Sequence, residues 1–411
     1  MPANFTGNGS GEMIGAANSI EENLLLDCAS AEPDPARLER IQNAVATGID
    51  WKRLLDLAER HRLTPLVCRS LEDACPEALD NPGVQVLRSR KRRIAQRNLQ
   101  LTGEMLALVK VLDNHGIPSV PLKGPVLAVT AFGNLFSRMF DDIDLLVRPE
   151  NLDQACEILL AAGYEPEFQL TPRQRAAYIG VQHAFSFFRR RDGITVELHW
   201  RLCDRYLSFP LKDRDLWANV QFENLFGTRL RCLKLEHNLL FLCMHGAKHF
   251  WNRVDWISSL NALARSQPSN RVPLLIAEAE RLRSTRLLRL GVTLAHQLSP
   301  CPGTQRFLEA MPRDTMADGM AAAVWRQMFA EEPSGWNKEV YRLRFYMEAR
   351  EHVWDRVRLV WIATVRIPPP QSSEWNNPQV PGSLLFLYYF LRPIQVFRKV
   401  GLRGLRSVLR A

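Results

Sequence analysis

Apolar residues recur at three- and four-residue spacing over most of the chain, which is the period of an amphipathic helix. The stretch "DWKRLLDLAERHRLTPLVCRSL" is one example, and a long helix is expected over about 84–114, after a Pro-Gly start. Helical periodicity returns after about Arg231. We therefore predict helical domains over 20–115 and 203–366.

Between these regions the pattern changes to short runs of β-forming residues. The runs are "IPSVPL", "DIDLLV", "AFSFFRR" and "ITVELHW", interleaved with the helical stretch "PENLDQACEILLAAG". The turn "RRRDG" between the last two runs predicts a hairpin, so the sheet is expected to be mixed. The predicted fold class is α+β, with a small mixed-sheet core over 116–202 flanked by helical regions.

The two ends of the chain differ from this pattern. Residues 1–19 are rich in Gly, Ser, Asn and Ala and are predicted to be disordered, whereas 367–411 is predicted to form a loop and a basic helical tail. The longest apolar run, "LLFLYYFL" at 384–391, is far shorter than the ~20 residues that a membrane span requires. We expect no transmembrane span.

The net charge of +9 comes from two local clusters. Arg88–Arg97 holds six basic side chains, and the segment from Arg392 to the end holds six more. Each cluster is either a solvated face or a contact for RNA, anionic membrane or acidic protein. The eight cysteines show no C-x-x-C pair and no secretion signal is visible, so a cytoplasmic location is expected.

The run "DIDLLV" places acidic residues where a buried strand should be apolar. Side chains alternate along a strand, so Asp142 and Asp144 share one face while Ile143, Leu145 and Val147 share the other. Two carboxylates side by side repel each other unless a cation lies between them. The pair therefore predicts a cation site.

The run "ITVELHW" repeats this arrangement. Val196, Leu198 and Trp200 form an apolar face, with Glu197 and His199 on the opposite face. Three carboxylates on adjacent strands suit Mg²⁺, and two ions could be held together with a triphosphate.

A different interpretation is that the aspartates lie at a strand end. They would then pair with Arg138 or Arg148. This arrangement requires no metal.

The segment "PLKGPVLAV" reads as a strand, then Gly124, then a helix opened by Pro125. A glycine at this junction lets a phosphate approach the backbone N–H groups at the helix N-terminus. The alternative is that Gly124 only caps the helix and that Lys123 is a solvated surface charge.

The order "LKG", Arg138, "DDIDLLV", "AAGY" and "VELHW" resembles the uncharacterised nucleotidyltransferase family of bacteria, a branch of the DNA polymerase beta-like superfamily. The resemblance extends to "DWKRLLDLAERHRLTPLV", "LCMHGAKHFWNRVDWISSLNAL" and "LYYFLRPIQVF", and covers about 50–400. It implies a mixed sheet with flanking helices that binds Mg²⁺ and a nucleoside triphosphate.

The resemblance also implies roles for individual residues. Asp142, Asp144 and Glu197 would be catalytic and bind the metal, and Gly124 would lie at the phosphate. The superfamily usually has Gly-Ser or Gly-Gly at this turn, so Lys123 is expected to replace the serine contact as a point charge.

Four further residues are candidates for the surroundings of this site. Arg138 either meets phosphate charge in the transition state or pairs with an acidic neighbour, Asp141. His199, His245 and His249 either line the pocket or pack between helices. A zinc-protease site is excluded, because that motif requires Glu directly after the first histidine of "HGAKH".

The leading functional hypothesis is a Mg²⁺-dependent nucleotidyltransferase that moves a nucleoside monophosphate, AMP from ATP, to a hydroxyl on a small molecule, protein or RNA. A second hypothesis is a degenerate nucleotide-binding regulator or assembly factor. A third is a transferase acting on tRNA ends, suggested by the basic cluster at Arg88–Arg97.

Overall fold

The computed structural model describes residues 18–30, 34–180, 182–203, 211–330 and 335–365. It confirms the α+β fold class, with a five-stranded mixed sheet and helices on both sides of it in sequence. The predicted disordered segment, but for its last two residues, and the predicted loop and basic tail lie outside the described residues.

Five α-helices precede the sheet in the described part of the chain, and polar residues cap several of them. Ser19 and Glu22 form a reciprocal capping box at the first helix, while Asp34, Asp50 and Asn81 each accept a backbone N–H at the start of a later one. The helices are α1 (Ile20–Cys28), α2 (Pro35–Thr47), α3 (Trp51–Arg60), α4 (Thr64–Ala74) and α5 (Pro82–Asn114).

The sheet has the order β1-β2-β5-β4-β3. β2 and β5 run parallel, and the other neighbouring pairs are antiparallel, including the predicted hairpin of β4 and β5. The strands are β1 (Ser119–Leu122), β2 (Asp142–Val147), β3 (Glu165–Pro166), β4 (Ala184–Arg189) and β5 (Ile194–His199). The helices between them are α6 (Gly124–Phe132), α7 (Leu152–Ala161) and α8 (Pro172–Ile179).

A second β-hairpin lies inside the region predicted to be helical. It comprises β6 (Gln221–Leu225) and β7 (Thr228–Cys232), joined by Phe226 and Gly227 with φ of 55° and 70°. Most of its residues are exposed, so the apolar alternation by which strands are recognised is weak. The helical domain predicted over 203–366 thus also contains a hairpin that the sequence pattern did not indicate.

The rest of the C-terminal region is helical, as the periodicity indicates. Its helices are α9 (Asp213–Ala218), α10 (Leu235–Lys248), α11 (Val254–Arg265), α12 (Val272–Arg281), α13 (Thr285–Leu298), α14 (Pro302–Ala310), α15 (Thr315–Gln327), α16 (Gly335–Glu348) and α17 (Val353–Val365). Across the described part of the chain, no helix combines the length and the apolar character that spanning a membrane requires.

Two hydrophobic cores lie on opposite faces of the sheet. The first joins α1–α4 to α10–α17 and includes Leu122 and Leu146 from the sheet. The second lies between the other sheet face, α7 and the second half of α5. The apolar sets predicted for β2 and β5 all belong to the second core: Ile143, Leu145, Val147, Val196, Leu198 and Trp200. The acidic residues therefore face the side covered by the helical regions.

The basic cluster on α5 is largely paired within the protein. Arg88 and Lys91 contact Glu72, and Arg90 contacts Glu59. Arg97 donates to backbone carbonyls in the turn between β4 and β5. Such pairing reduces the positive field that this cluster offers to a polyanion.

Candidate active site

The turn between β1 and α6 brings Lys123 to the acidic strand. β1 pairs with β2 so that Leu122 lies opposite Asp144, and the chain then turns through Lys123 and Gly124, whose φ values are 42° and 41°. These left-handed values suit glycine and are unusual for lysine. The helix begins at Gly124, one residue before Pro125, which had been predicted to open it.

The parallel pairing of β2 and β5 places the acidic residues side by side. Asp142 lies opposite Thr195, and Asp144 lies opposite Glu197. Because alternate residues share a face, the carboxylates of Asp144 and Glu197 come from neighbouring strands onto the same surface. His199 is two residues further along β5, on that surface.

Asp144 is the centre of a buried charge network. One of its oxygens, Oδ1, lies 3.1 Å from Lys123 Nζ and 2.9 Å from His199 Nε2. The same His199 nitrogen lies 3.3 Å from Glu197 Oε2. The side chains of Asp144 and His199 are both 2% exposed, so these charges depend on one another rather than on water.

The network shifts the pKa values of its members in opposite directions. Burial opposes the charged form of Lys123, yet the carboxylates around it raise its pKa above the ordinary value. Burial also opposes protonation of His199, but hydrogen bonds to Asp144 and Glu197 raise its pKa. The pKa of Glu197 is held below its usual range, because His199 and Lys123 outweigh its burial.

Asp142 borders this network. Burial, followed by the charge of Asp144, raises its pKa to about 6. The neighbouring Asp141 lies on the opposite face, is 69% exposed and pairs with Arg62. Asp142 thus takes up a proton closer to neutral pH than an ordinary aspartate does.

The donor atoms fit a divalent cation. Asp144, Glu197 and His199 each offer one ligand atom, and these atoms lie within 4.8 Å of one another. Carboxylate oxygens suit Mg²⁺, and an added imidazole also suits Mn²⁺ or Zn²⁺. The group that converges therefore includes His199, which sequence reasoning placed among the pocket residues, while Asp142 lies beside it.

Arg138 lies close to the acidic strand but pairs with a residue that the sequence did not indicate. Asn98, on α5, donates to the Arg138 carbonyl at 2.8 Å and so fixes the loop before β2. The guanidinium is 4.0 Å from Asp255 Oδ2, and its Nε donates to Ser259 Oγ at 3.3 Å. Arg138 therefore does not form the ion pair with Asp141, or with the aspartate pair, that the alternative interpretations required.

Two further alternatives concern Arg148 and Lys123. In the first, Arg148 would neutralise the aspartates without a metal; in the second, Lys123 would be a solvated surface charge without a phosphate. Arg148 contacts Glu150 at 3.8 Å and stacks on Trp217, so it does not neutralise the aspartates. Lys123 is 13% exposed and is not a solvated surface charge. The structure therefore does not support either of these alternative interpretations.

His245 and His249 lie on one face at the end of α10, with ring centroids 4.8 Å apart. Both rings contact Trp256: the distance between ring centroids is 5.6 Å for His245 and 5.1 Å for His249. Burial, reinforced by nearby cations including Lys123, lowers the pKa of His249 to about 3 and that of His245 well below the ordinary value. Both imidazoles are therefore neutral at physiological pH.

Sequence reasoning missed several charged residues beside the acidic strand. Arg62, Arg253 and Asp255 come from loops and helix starts in the two helical regions. A signal was present, because "ERHRLTP" and "WNRVDW" interrupt apolar helical patterns with charged and aromatic residues. The sequence alone does not indicate that either segment lies next to the sheet.

A mixed sheet with an acidic pair, facing a glycine turn at a helix start, is typical of nucleotidyltransferases. The family model described as "Uncharacterised nucleotidyltransferase" matches residues 47–300. The chain belongs to this family, which confirms the resemblance seen in its motifs.

Similarity to solved structures is weaker. "Crystal structure of an antigenic nucleotidyltransferase-like protein from Paracoccidioides brasiliensis" is similar at 16% identity and a TM-score of 0.32. The similarity covers 53% of this chain and 95% of that chain. Likeness at this level carries no argument about the site. Among curated proteins, none matches this chain.

Proposed function

We propose that the protein transfers a nucleoside monophosphate, AMP from ATP, to a hydroxyl acceptor with the help of Mg²⁺. The observation that carries this proposal is the convergence of Asp144 and Glu197 from neighbouring parallel strands, beside the turn at Gly124. Family membership supports the same reaction class.

Asp144 and Glu197 would hold Mg²⁺, with His199 as an additional donor, because their donor atoms lie within 4.8 Å of one another. Asp142, which lies beside them, would complete the ligand set. When bound, Mg²⁺ neutralises phosphate charge and lowers the pKa of a coordinated hydroxyl. Lys123 now occupies Asp144 Oδ1. Asp144 can bind a metal ion if the Lys123 ammonium moves from this oxygen to a phosphate of the substrate.

The chain's own residues supply positioning and proton handling. The backbone N–H groups that begin α6 and the Lys123 ammonium are suited to bind phosphate oxygens. Glu197 stays ionised because its pKa is lowered, so it can accept a hydrogen bond from the acceptor hydroxyl. That oxygen attacks the α-phosphorus, the bond to the bridging oxygen breaks, pyrophosphate leaves, and the hydroxyl proton passes to water.

The test is to incubate the protein with each labelled nucleoside triphosphate, Mg²⁺ and cell extract. We expect label transfer and pyrophosphate release that are absent in the Asp142→Ala/Asp144→Ala variant. The nearly isosteric Asp144→Asn variant controls for loss of folding. No transfer above these controls would reject the enzyme.

A second candidate is a nucleotide-binding regulator or assembly factor without turnover. It is favoured by the ion pair of Lys123 with Asp144, because an internal cation already occupies one carboxylate oxygen. Calorimetry should then show ATP affinity that survives Glu197→Gln. Measurable turnover by the wild type would eliminate this candidate.

The remaining partners are proposals with less support. Action on tRNA ends rests on the Arg88–Arg97 cluster, in which four of the six basic side chains have partners within the protein. Membrane contact through the tail concerns residues outside those described. Cytoplasmic residence rests on the cysteine pattern, and all eight cysteines, which lie within the described ranges, are thiols.

A further inference from the structure

Three arginines from separate parts of the chain surround one buried carboxylate. Arg62 comes from the loop between α3 and α4, Arg138 from the loop before β2, and Arg253 from the N-cap of α11. Asp255 is 3% exposed, and its oxygens lie 3.1 Å from Arg253 Nε and 4.0 Å from Arg138 Nη2. One buried negative charge therefore faces three positive charges.

This arginine cluster adjoins the acidic strand. Arg62 pairs with Asp141, the residue before Asp142, and its charge opposes the rise in the pKa of Asp142. The charges of Asp142 and Asp144 act in turn on Arg138. The arginine cluster thus lies next to the proposed metal ligands, on the side from which its guanidinium groups act on Asp142.

Arg62 and Arg253 are the accessible members of the cluster. Their side chains are 20% and 25% exposed, whereas Arg138 is 8% exposed. Arg253 lies over the ring of Trp256 at 4.1 Å, which fixes the flat face of its guanidinium, and its Nε lies 3.1 Å from Asp255 Oδ1. Its two Nη groups are the part that can bind a ligand, and a planar guanidinium matches phosphate geometry.

The backbone at Arg62 ends α3. Its φ is 58°, the left-handed conformation of a residue that follows a helix C-cap. Leu63 N–H donates to the Ala58 carbonyl at 2.8 Å across this turn, so the end of α3 fixes the position from which Arg62 extends.

We propose that Arg62 and Arg253, alongside Arg138, form a clamp for the β- and γ-phosphates of the nucleoside triphosphate. This inference rests on the proposed function and specifies the part of the substrate that the helical regions recognise. It also gives those regions a role at the site, because Arg62 comes from the N-terminal one and Arg253 from the C-terminal one.

The experiment measures binding of inorganic tripolyphosphate by calorimetry, with Mg²⁺ present, to wild type and to Arg62→Gln and Arg253→Gln. Each variant should bind about tenfold more weakly, because a charge-assisted contact to phosphate is lost. Arg40→Gln is the matched control, because Arg40 is an arginine paired with Asp27 and its charged neighbours are Asp27 and Asp34. It should bind like wild type.

Arg62→Lys and Arg253→Lys keep the positive charge. They replace the glutamine variants in this experiment if a glutamine variant fails to fold. They should show intermediate affinity. No tripolyphosphate binding by wild type, or unchanged affinity in folded variants, would overturn the clamp. The clamp would also be overturned if the glutamine variants kept their affinity for tripolyphosphate and instead lost affinity for a short single-stranded RNA. Wild type that binds tripolyphosphate but transfers no nucleotide would reject the proposed activity and retain the clamp.

Discussion

The histidine on the sheet and the histidines on the facing helix experience opposite electrostatic environments. His199 lies between two carboxylates, which raise its pKa although it is fully buried. His245 and His249 lie against Trp256 and near Lys123, and their pKa values are lowered. Burial acts in the same direction on all three, so the neighbouring charges decide the outcome.

The difference shows how the site is divided. On the sheet side, each buried charge has an opposite partner, and removal of one leaves another unpaired. On the helix side, the two imidazoles offer hydrogen-bonding groups without adding charge. A polyanionic substrate would therefore meet cations from Lys123 and the arginine cluster, and neutral rings from α10.

The largest expected effect is at Asp144. Asp144→Ala leaves Lys123 and His199 buried without their shared partner, and should lower the free energy of unfolding by about 3–5 kcal/mol. Urea denaturation at neutral pH measures this. The control is Asp153→Ala, whose side chain is 84% exposed and pairs with Arg175. That change should cost at most about 1 kcal/mol, and equal losses in both variants would show that the network does not stabilise the fold.

The next effect is a pH dependence on the helix side. The pKa of His249 is about 3 in the folded protein, against about 6.5 in an unfolded chain. The unfolded state then binds more protons between these values, so stability falls as pH drops below about 6.5. At pH 5 the contribution is about 2 kcal/mol, and His249→Gln should remove it.

Urea denaturation of wild type and His249→Gln at pH 7.5 and pH 5 measures this difference. On the sheet side the sign is reversed. His199 has a raised pKa, so its contribution is present below about 6.5 and is lost as pH rises through its folded value. Equal pH profiles for His249→Gln and wild type would contradict the assignment of a neutral histidine.

A smaller effect is expected at the glycine turn. Gly124 has φ of 41°, so Gly124→Ala should cost about 1 kcal/mol of stability although space for a methyl group exists. Gly103, in the exposed middle of α5, has nothing within 4 Å of an added Cβ, whereas an added Cβ at Gly124 would lie 3.9 Å from the Asp142 carbonyl oxygen. Gly103→Ala should stabilise the protein by about 0.5–1 kcal/mol, because alanine favours helix. Thermal denaturation compares the two, and the same sign in both would contradict a conformational requirement at Gly124.

The smallest effect concerns an ion pair distant from both sides of the site. Arg190 contacts Glu165 at 3.1 Å, and the two side chains are 79% and 57% exposed. Arg190→Gln should change the free energy of unfolding by less than about 1 kcal/mol, because water already screens the pair. A larger loss in urea denaturation would mean that burial does not explain the sensitivity of Asp144.

The alternation of side chains along the strands predicted the part of the candidate site that lies on the sheet. The period of two placed Asp144 and Glu197 on one sheet face, and the structure pairs them across β2 and β5. The same rule does not say which cation meets them, because Lys123 reaches Asp144 through the unusual backbone of its turn.

The part of the site that the helical regions contribute depends on long-range packing, which the periodicity of the sequence does not encode. Arg62 and Arg253 are separated by almost half of the chain, and come together because α1–α4 and α10–α17 share the first core. The β6–β7 hairpin was missed for a local reason, since its exposed strands lack an apolar face. Tertiary contacts thus decided what the sequence pattern left open.

The first core has a consequence for synthesis of the protein. Its N-terminal apolar residues, such as Leu25 and Leu54, are completed by residues beyond Leu239. The ribosome therefore releases the first four helices long before their covering helices exist, and a chain cut after residue 203 keeps that apolar surface in water. We expect such a fragment to aggregate, and the nascent chain to depend on chaperones until its last third has emerged.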